Sequence, residues 1–290
     1  MTPTEHRFSG PAGDLCWFEW GEPGQGASLL LLHATGFHAR CWDRVVAALP
    51  KDLHVVAVDL RGHGRSYRPI SLSDWGATAE DILRLVEALF PEPVFAIGHS
   101  MGAAVAAQVA ACAPDRFERL LLIDPVLMPR EAYEAGAGAL PGDPADHPIS
   151  RRRNAWDSPE QMIARFAERV PYSRWKPEVL DDYCRFGLLP ASDGAALELG
   201  CPPLLEASAY MGATRLDPYP LFAKVACPVT VLRAPSGERA SAMDFSLSPT
   251  WPGLAGEFPN ARDLYWPDVT HFIPMEAPER VAALIVEELG

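Results

Sequence analysis

The sequence predicts an α/β fold: a mostly parallel, doubly wound sheet with helices on both faces and a helical insertion between two of its strands. Three observations predict it. Short runs of Val, Leu and Ile alternate with helical patterns in the first half of the chain, this alternation stops after Asp124, and it resumes at Val229. A chain of 290 residues with 48% hydrophobic and 22% charged residues is also long and apolar enough to bury the core of one large domain.

Six short runs rich in Val, Leu and Ile are the predicted strands. Runs that are apolar almost throughout are typical of parallel strands, because these are buried on both faces of the sheet. They span residues 28–33, 54–60, 94–99, 119–124, 229–234 and 262–266.

Three stretches have a helical pattern. Residues 78–90 repeat their apolar positions on one face, and Thr78 followed by Asp81 is the expected start of this helix. Residues 101–113 are rich in alanine, which forms helices well and packs closely on a sheet. Residues 278–289 have the pattern of an amphipathic helix. Strands that alternate with helices in this way are expected to be parallel, with right-handed connections.

Residues 125–222 are predicted to form a separate helical cap. Their pattern is irregular and broken by Pro and Gly, whereas residues 1–124 and 223–290 belong to the sheet-containing core. Segments inserted after the carboxyl end of a strand lie over the ligand crevice of an open α/β sheet, so we expect a lid. Its aromatic residues either wall an apolar pocket or pack inside the lid itself. They are Trp156, Tyr172, Trp175, Tyr183, Phe186 and Tyr210.

Charge and cysteine content argue against several classes of protein. A formal net charge of −13 argues against binding to nucleic acid, and the run Arg151-Arg152-Arg153 is interpreted as a solvated helix start or as a local partner of acidic neighbours.

The six cysteines show no metal-ligand spacing, and we expect buried thiols in a reduced compartment. Neither a signal peptide nor a membrane span is predicted, so a cytoplasmic protein is expected.

The strongest functional signal is the sequence Gly98-His99-Ser100-Met101-Gly102, which lies between a predicted strand and a predicted helix. A serine at so sharp a turn adopts a strained backbone conformation and projects its hydroxyl above the sheet. Glycines two residues to either side allow the strand and the helix to approach closely. The amino terminus of the helix would stabilise a developing oxyanion. This context predicts that Ser100 is a nucleophile, and the alternative is a glycine-rich turn without catalytic function.

With this motif, the sequence resembles the α/β-hydrolase family over nearly its whole length. Three further blocks follow the family pattern in order: residues 33–37 (HATGF), residues 59–66 (DLRGHGRS) and residues 270–274 (THFIP). The resemblance implies the α/β-hydrolase fold, with the cap inserted after the sixth core strand.

The resemblance also implies roles for individual residues. The family places its catalytic histidine at the position of His271, and its oxyanion hole at the backbone amides that correspond to Thr35 and Met101. His33 and His63 are better interpreted as residues whose rings brace turns through hydrogen bonds to the backbone.

Two carboxylates are candidates for the acid of the triad. Family members most often place it after the strand predicted at residues 229–234, where this chain has Glu238 one residue beyond the usual spacing. The other location is the end of the preceding core strand, where this chain has Asp124. A carboxylate there would be held by rigid backbone and would face the same crevice as Ser100, although an Asp-Pro pair also suits a simple turn. We favour Asp124 over Glu238.

The sequence therefore predicts a serine hydrolase that cleaves carboxylic esters, lactones included, of small to medium apolar substrates. His271 would take the proton of Ser100, the acid would hold the histidine in the correct tautomer, and water would hydrolyse the acyl-enzyme without any metal or cofactor. Three alternatives stay open. They are a carbon–carbon bond hydrolase, a perhydrolase-like relative with the same triad, and a small-molecule receptor that keeps the fold.

Overall fold

The apolar runs of the sequence form parallel strands of one sheet in a computed structural model, which describes residues 2–134, 142–191, 194, 196–238 and 244–290. The strands are β1 (Thr4–Gly10), β2 (Gly13–Trp20), β3 (Ser28–Leu32), β4 (His54–Asp59), β5 (Val94–His99), β6 (Phe117–Ile123), β7 (Ala155–Trp156), β8 (Leu188–Pro190), β9 (Leu197–Leu199), β10 (Val229–Arg233) and β11 (Ala261–Tyr265). The helices are α1 (Asp43–Ala48), α2 (Trp75–Leu89), α3 (Met101–Cys112), α4 (Arg130–Glu134), α5 (Pro159–Phe166), α6 (Pro177–Gly187), α7 (Pro203–Gly212), α8 (Tyr219–Phe222), α9 (Ile273–Glu276) and α10 (Pro278–Leu289).

The main sheet has eight strands in the order β1-β2-β4-β3-β5-β6-β10-β11. Strand β2 is antiparallel to both of its neighbours, and every other adjacent pair is parallel. The six predicted strands all belong to this sheet and begin and end within two residues of their predicted bounds. The mostly parallel α/β sheet that the sequence predicts is therefore confirmed.

Helices cover both faces of the sheet, because successive side chains of a buried strand point to opposite sides. In β3, Leu30 and Leu32 belong to the core that includes α2 and α3. Leu29 and Leu31 belong to the core that includes α1 and α10. Burial of each leucine contributes about 1.5–3 kcal/mol, so this alternation stabilises the doubly wound arrangement directly.

Three details differ from the expectations. Helix α2 begins at Trp75, after Asp74, whose side chain accepts a hydrogen bond from Ala77 N at 3.1 Å; Thr78 is buried within the helix and is not its cap. The hairpin β1–β2 has no counterpart among the predicted strands, because β1 is largely exposed and lacks an apolar run. All six cysteines are free thiols, but Cys112 is exposed, so the expectation of buried thiols is wrong for that residue.

The segment between β6 and β10 contains helices α4–α8 and a small antiparallel sheet with the strand order β7-β9-β8. Side chains of α5, α6 and this sheet form one cluster with Phe37 and Phe272, which follow the carboxyl ends of β3 and β11. The segment therefore packs over the carboxyl ends of the strands of the main sheet, where the predicted nucleophile also lies. That residues 125–222 act as a cap domain remains a prediction. Among the residues that the structure describes, no helix is long and apolar enough to cross a membrane.

Candidate active site

Ser100 occupies the sharp turn between β5 and α3, with φ of 58° and ψ of −116°. Residues other than glycine rarely adopt this conformation, and a hydrogen bond of 2.9 Å from Ser100 N to Ile123 O holds it. The flanking glycines are needed for close packing. A Cβ atom on Gly98 would lie 2.5 Å from the backbone of α3, and one on Gly102 would lie 2.3 Å from Leu32 O. The close approach predicted from the motif is present.

Ser100, His271 and Asp124 form a continuous hydrogen-bonded chain. His271 Nε2 lies 3.0 Å from Ser100 Oγ, and His271 Nδ1 lies 2.6 Å from Asp124 Oδ2. Because a carboxylate only accepts hydrogen bonds, the proton of the neutral ring is assigned to Nδ1, and Nε2 is left to accept from the hydroxyl. All three residues are buried, with 0% to 5% of their surface exposed.

Three donors fix the Asp124 carboxylate. Its Oδ1 accepts hydrogen bonds from Ala234 N at 2.9 Å, Ser248 Oγ at 2.6 Å and Thr250 Oγ1 at 3.4 Å. This leaves Oδ2 for the imidazole. The alternative acid, Glu238, is exposed, and no hydrogen bond joins it to the imidazole within the described part of the chain.

His99, the residue before the nucleophile, anchors the loop that contains His271. Its Nε2 lies 2.8 Å from the backbone oxygen of His271. Burial, together with the neighbouring His271 ring, lowers the pKa of His99 to about 3, so the ring is neutral and donates its Nε2 proton to that carbonyl. The sequence analysis missed this role, because the contact joins two segments 172 residues apart.

Two more histidines brace the loops at this edge of the sheet, as the sequence predicts. His33 Nε2 accepts a hydrogen bond from Leu60 N at 3.0 Å, and His63 Nε2 accepts one from Gly36 N at 3.0 Å. Burial lowers the pKa of His63 to about 4, so its ring is neutral and can accept. The loop that contains Thr35 is therefore held in place from both sides.

The predicted oxyanion donors are the backbone amides of Thr35 and Met101. Met101 is the first residue of α3, and Thr35 lines a cavity beside the site. Neither amide forms a backbone hydrogen bond to another described residue. Their role as oxyanion donors stays a prediction. Within the described ranges, no group of His, Cys, Asp and Glu side chains is placed to hold a metal ion.

The cavity has a volume of about 380 Å³, and two phenylalanines in its wall connect it to His271. Phe245 and Phe272 line it, and the ring of Phe245 stacks on that of His271 with centroids 5.7 Å apart. Neither phenylalanine was identified from the sequence, because both come from core loops whose course the sequence does not reveal.

Five of the six aromatic residues proposed for the pocket do line the cavity: Trp156, Tyr172, Trp175, Tyr183 and Tyr210. The sixth candidate, Phe186, does not line it. The guanidinium carbon of Arg40 lies 3.7 Å from the centroid of the Phe186 ring, and this ring is not among the cavity-lining side chains.

Arg152, expected to be solvated or paired locally, instead forms an ion pair inside the cavity wall. Its Nη1 donates to Glu206 Oε2 at 2.5 Å, and its Nη2 donates to Tyr183 Oη at 3.0 Å. The Glu206 side chain is 2% exposed. Burial opposes the charge of Arg152, but Glu206, Tyr183 and Tyr172 together outweigh it and raise the pKa of the guanidinium well above its ordinary value. Because 54 residues separate the partners, local charge patterning could not indicate the pair.

Comparisons with known proteins agree with this architecture. Lipase LipV from Mycobacterium tuberculosis is 28% identical over 284 residues, which are 92% of this chain and 95% of that protein. The crystal structure of E-2-(acetamidomethylene)succinate hydrolase has a TM-score of 0.75 at 22% identity and covers 98% of both chains. The enol-lactonase from Burkholderia xenovorans LB400 has a TM-score of 0.68 at 20% identity over 97% of this chain and 98% of its own.

Several other curated relatives match this chain over 46% or less of their own length, so it corresponds to only part of those proteins. A model of the alpha/beta hydrolase family, however, matches residues 29–284, from the first parallel strand to the C-terminal helix. Because this match spans most of the chain, the protein belongs to the alpha/beta hydrolase family.

Proposed function

We propose that this protein is a serine hydrolase that cleaves carboxylic esters, lactones included, of small to medium substrates with an apolar part. The observation that best supports the proposal is the unbroken hydrogen-bonded chain from Ser100 through His271 to Asp124. The similarity to a lipase over nearly the full length of both proteins supports ester cleavage. A cavity of about 380 Å³ suits a ligand of that size.

In the proposed mechanism, Ser100 Oγ attacks the ester carbonyl while His271 Nε2 takes the hydroxyl proton. Asp124 keeps the Nδ1 proton in place and stabilises the imidazolium that forms. The carbonyl oxygen becomes negatively charged in the tetrahedral intermediate, and the amides of Thr35 and Met101 would donate to it. Loss of one such donor typically lowers the rate by about 10²- to 10³-fold.

The intermediate collapses when His271 gives its proton to the leaving alcohol oxygen. An acyl group then remains on Ser100. Water attacks this acyl-enzyme while His271 again acts as base, and the carboxylic acid leaves as the serine regains its proton. Atoms and charge balance with water as the only second reactant.

We further propose that residues 125–222 act as a cap that selects the substrate. In support, the cavity is lined both by this segment and by core residues next to His271, such as Phe245. A cytoplasmic location stays a prediction.

The test is hydrolysis of p-nitrophenyl esters with acyl chains of increasing length, from acetate upwards. We expect Ser100→Ala to lower kcat by about 10⁴-fold or more, while Ser236→Ala, which removes an exposed hydroxyl, leaves kcat unchanged. Turnover that survives Ser100→Ala would contradict the proposal. Folded protein that hydrolyses no ester would instead favour a carbon–carbon bond hydrolase or a receptor.

A further inference from the structure

Five arginines line the cavity of a protein whose formal net charge is −13. They are Arg151, Arg152, Arg153, Arg165 and Arg169. Glu206 is the one acidic side chain among the described residues that line it. The wall of this cavity is therefore strongly positive, in contrast to the protein as a whole.

Two of these arginines already have partners within the chain. Arg152 is paired with Glu206, as described above. Arg153 donates to the backbone oxygen of Ala155 and to Gln161 Oε1, and its guanidinium lies 4.3 Å from the centroid of the Trp156 ring. Its Nη2 also lies 3.9 Å from Asp157 Oδ2, so both side chains have a carboxylate partner within the protein.

The other three, Arg151, Arg165 and Arg169, have no such contacts. Within the described ranges, their guanidinium groups form neither a hydrogen bond nor an ion pair, and every other arginine in those ranges forms at least one. All three are exposed at the surface and also line the cavity, so they lie where it opens to solvent. In an acidic protein, three unpaired arginines at the opening of one cavity are an unusual concentration.

We propose that Arg151, Arg165 and Arg169 bind an anionic group of the substrate, a carboxylate or a phosphate, at the end remote from the scissile ester. This inference rests on the proposed function, because it assigns a substrate class to the same site. The planar guanidinium group matches both carboxylate and phosphate oxygens in bidentate geometry. The aromatic side chains that line the same cavity take the apolar middle of such a molecule.

The charge distribution gives this arrangement a kinetic advantage. A protein with an excess of acidic groups repels anions in general, so a locally positive opening concentrates anionic molecules at the cavity and away from the rest of the surface. Exposed charges act through water and ions, and this attraction should weaken as the Debye length falls from about 10 Å at 0.1 M salt to about 3 Å at 1 M.

The experiment compares three methyl esters of similar length by pH-stat titration: methyl pentanoate, monomethyl glutarate and methyl 4-phosphonobutanoate. We expect kcat/KM to be about tenfold or more higher for an anionic ester than for methyl pentanoate, and this ratio to fall as salt is added. Whichever of the carboxylate and the phosphonate is preferred identifies the group. Equal kcat/KM for all three esters would overturn the inference.

Variants assign the effect to the arginines. Arg165→Gln and Arg169→Gln should each lower the ratio of kcat/KM for the preferred anionic ester to that for methyl pentanoate by about five- to tenfold. Arg84→Gln is the matched control, because Arg84 is an exposed arginine that pairs with Glu80 on α2 and does not line the cavity. It should leave the ratio unchanged. A fall of the same size in all three variants would show a general charge effect and would overturn the assignment.

A binding measurement separates this inference from the proposed function. Calorimetry on the Ser100→Ala protein should give a lower Kd for monomethyl glutarate or methyl 4-phosphonobutanoate than for methyl pentanoate. Equal Kd values would overturn the inference even if Ser100 proves to be the nucleophile. Tighter binding of the anion by a protein that hydrolyses no ester would uphold the inference and contradict the ester hydrolase proposal.

Discussion

The Asp124→Asn substitution is a sharp test of the proposed triad, because the two oxygens of Asp124 have different partners. Oδ1 accepts three hydrogen bonds from the chain that follows β10, whereas Oδ2 faces His271 Nδ1 at 2.6 Å. The amide oxygen of an asparagine would remain at the Oδ1 position, because the opposite orientation leaves three donors without an acceptor. Its NH₂ group would then donate to His271 Nδ1. The ring proton would move to Nε2, and the ring could no longer accept the proton of Ser100.

We expect kcat to fall by about 10⁴-fold, which corresponds to about 5.5 kcal/mol of transition-state stabilisation. Asparagine has the same size as aspartate, so the variant should fold. The assay is hydrolysis of p-nitrophenyl butyrate, with a thermal unfolding curve for each variant. Glu238→Gln is the matched control, because it removes an exposed carboxylate and should leave kcat unchanged. The reasoning is refuted if Asp124→Asn keeps more than about a tenth of the activity, or if Glu238→Gln abolishes it.

Buried groups give three further expectations, each measurable by urea unfolding. Burial lowers the pKa of His63 from 6.5 to about 4, so its contribution to stability is complete above pH 6.5 and is lost as the pH falls towards 4; His63→Asn should remove about 2 kcal/mol of the difference in unfolding free energy between pH 8 and pH 5. Gly102→Ala would place a Cβ atom 2.3 Å from a backbone oxygen and should cost more than about 3 kcal/mol, whereas Gly256→Ala meets nothing within 4 Å and should cost less than about 1 kcal/mol. Arg152→Met leaves Glu206 buried without a partner and should cost about 3–5 kcal/mol, and combining it with Glu206→Met should cost less than the sum of the two single changes. The first expectation is contradicted if His63→Asn leaves the pH dependence of stability unchanged. The second is contradicted if Gly102→Ala and Gly256→Ala lower stability equally, and the third if the losses of the two single changes at Arg152 and Glu206 simply add.

The parallel sheet and the turn at Ser100 could be predicted because their signals are local in the sequence. Four consecutive leucines in a short apolar run favour a strand with both faces buried, and Leu29 to Leu32 do alternate between the two cores. The glycines at positions 98 and 102 mark a turn where backbone meets backbone at a distance that excludes a Cβ atom. The strand, the turn and the helix around these glycines are consecutive in the chain, so the spacing of the residues is enough to predict the turn.

The contacts that complete the site could not be predicted, because they join distant segments. Asp124 and Glu238 both follow a core strand, so their positions in the sequence do not distinguish them. In the structure, the segment after β10 leaves Glu238 exposed to solvent and supplies three hydrogen-bond donors to Asp124. Similarly, the pattern Arg151-Arg152-Arg153 resembles a solvated basic run. The acid that pairs with Arg152 lies on α7, and only the folded chain brings the two together.

The Arg152–Glu206 pair and the three unpaired arginines of the cavity should affect different kinetic properties: the pair the rate with every ester, and the unpaired arginines the preference for anionic esters. Glu206 already compensates the charge of Arg152, and an anion that displaced Glu206 would leave a buried carboxylate uncompensated. The pair instead packs against the loop that contains Thr35, since a Cβ atom on Gly36 would lie 2.4 Å from Glu206 Oε1. We therefore expect Glu206→Gln to lower kcat for neutral and anionic methyl esters alike, because it loosens the proposed oxyanion loop. If Glu206→Gln changed only the preference between neutral and anionic esters, the Arg152–Glu206 pair would determine substrate specificity, as proposed for the unpaired arginines.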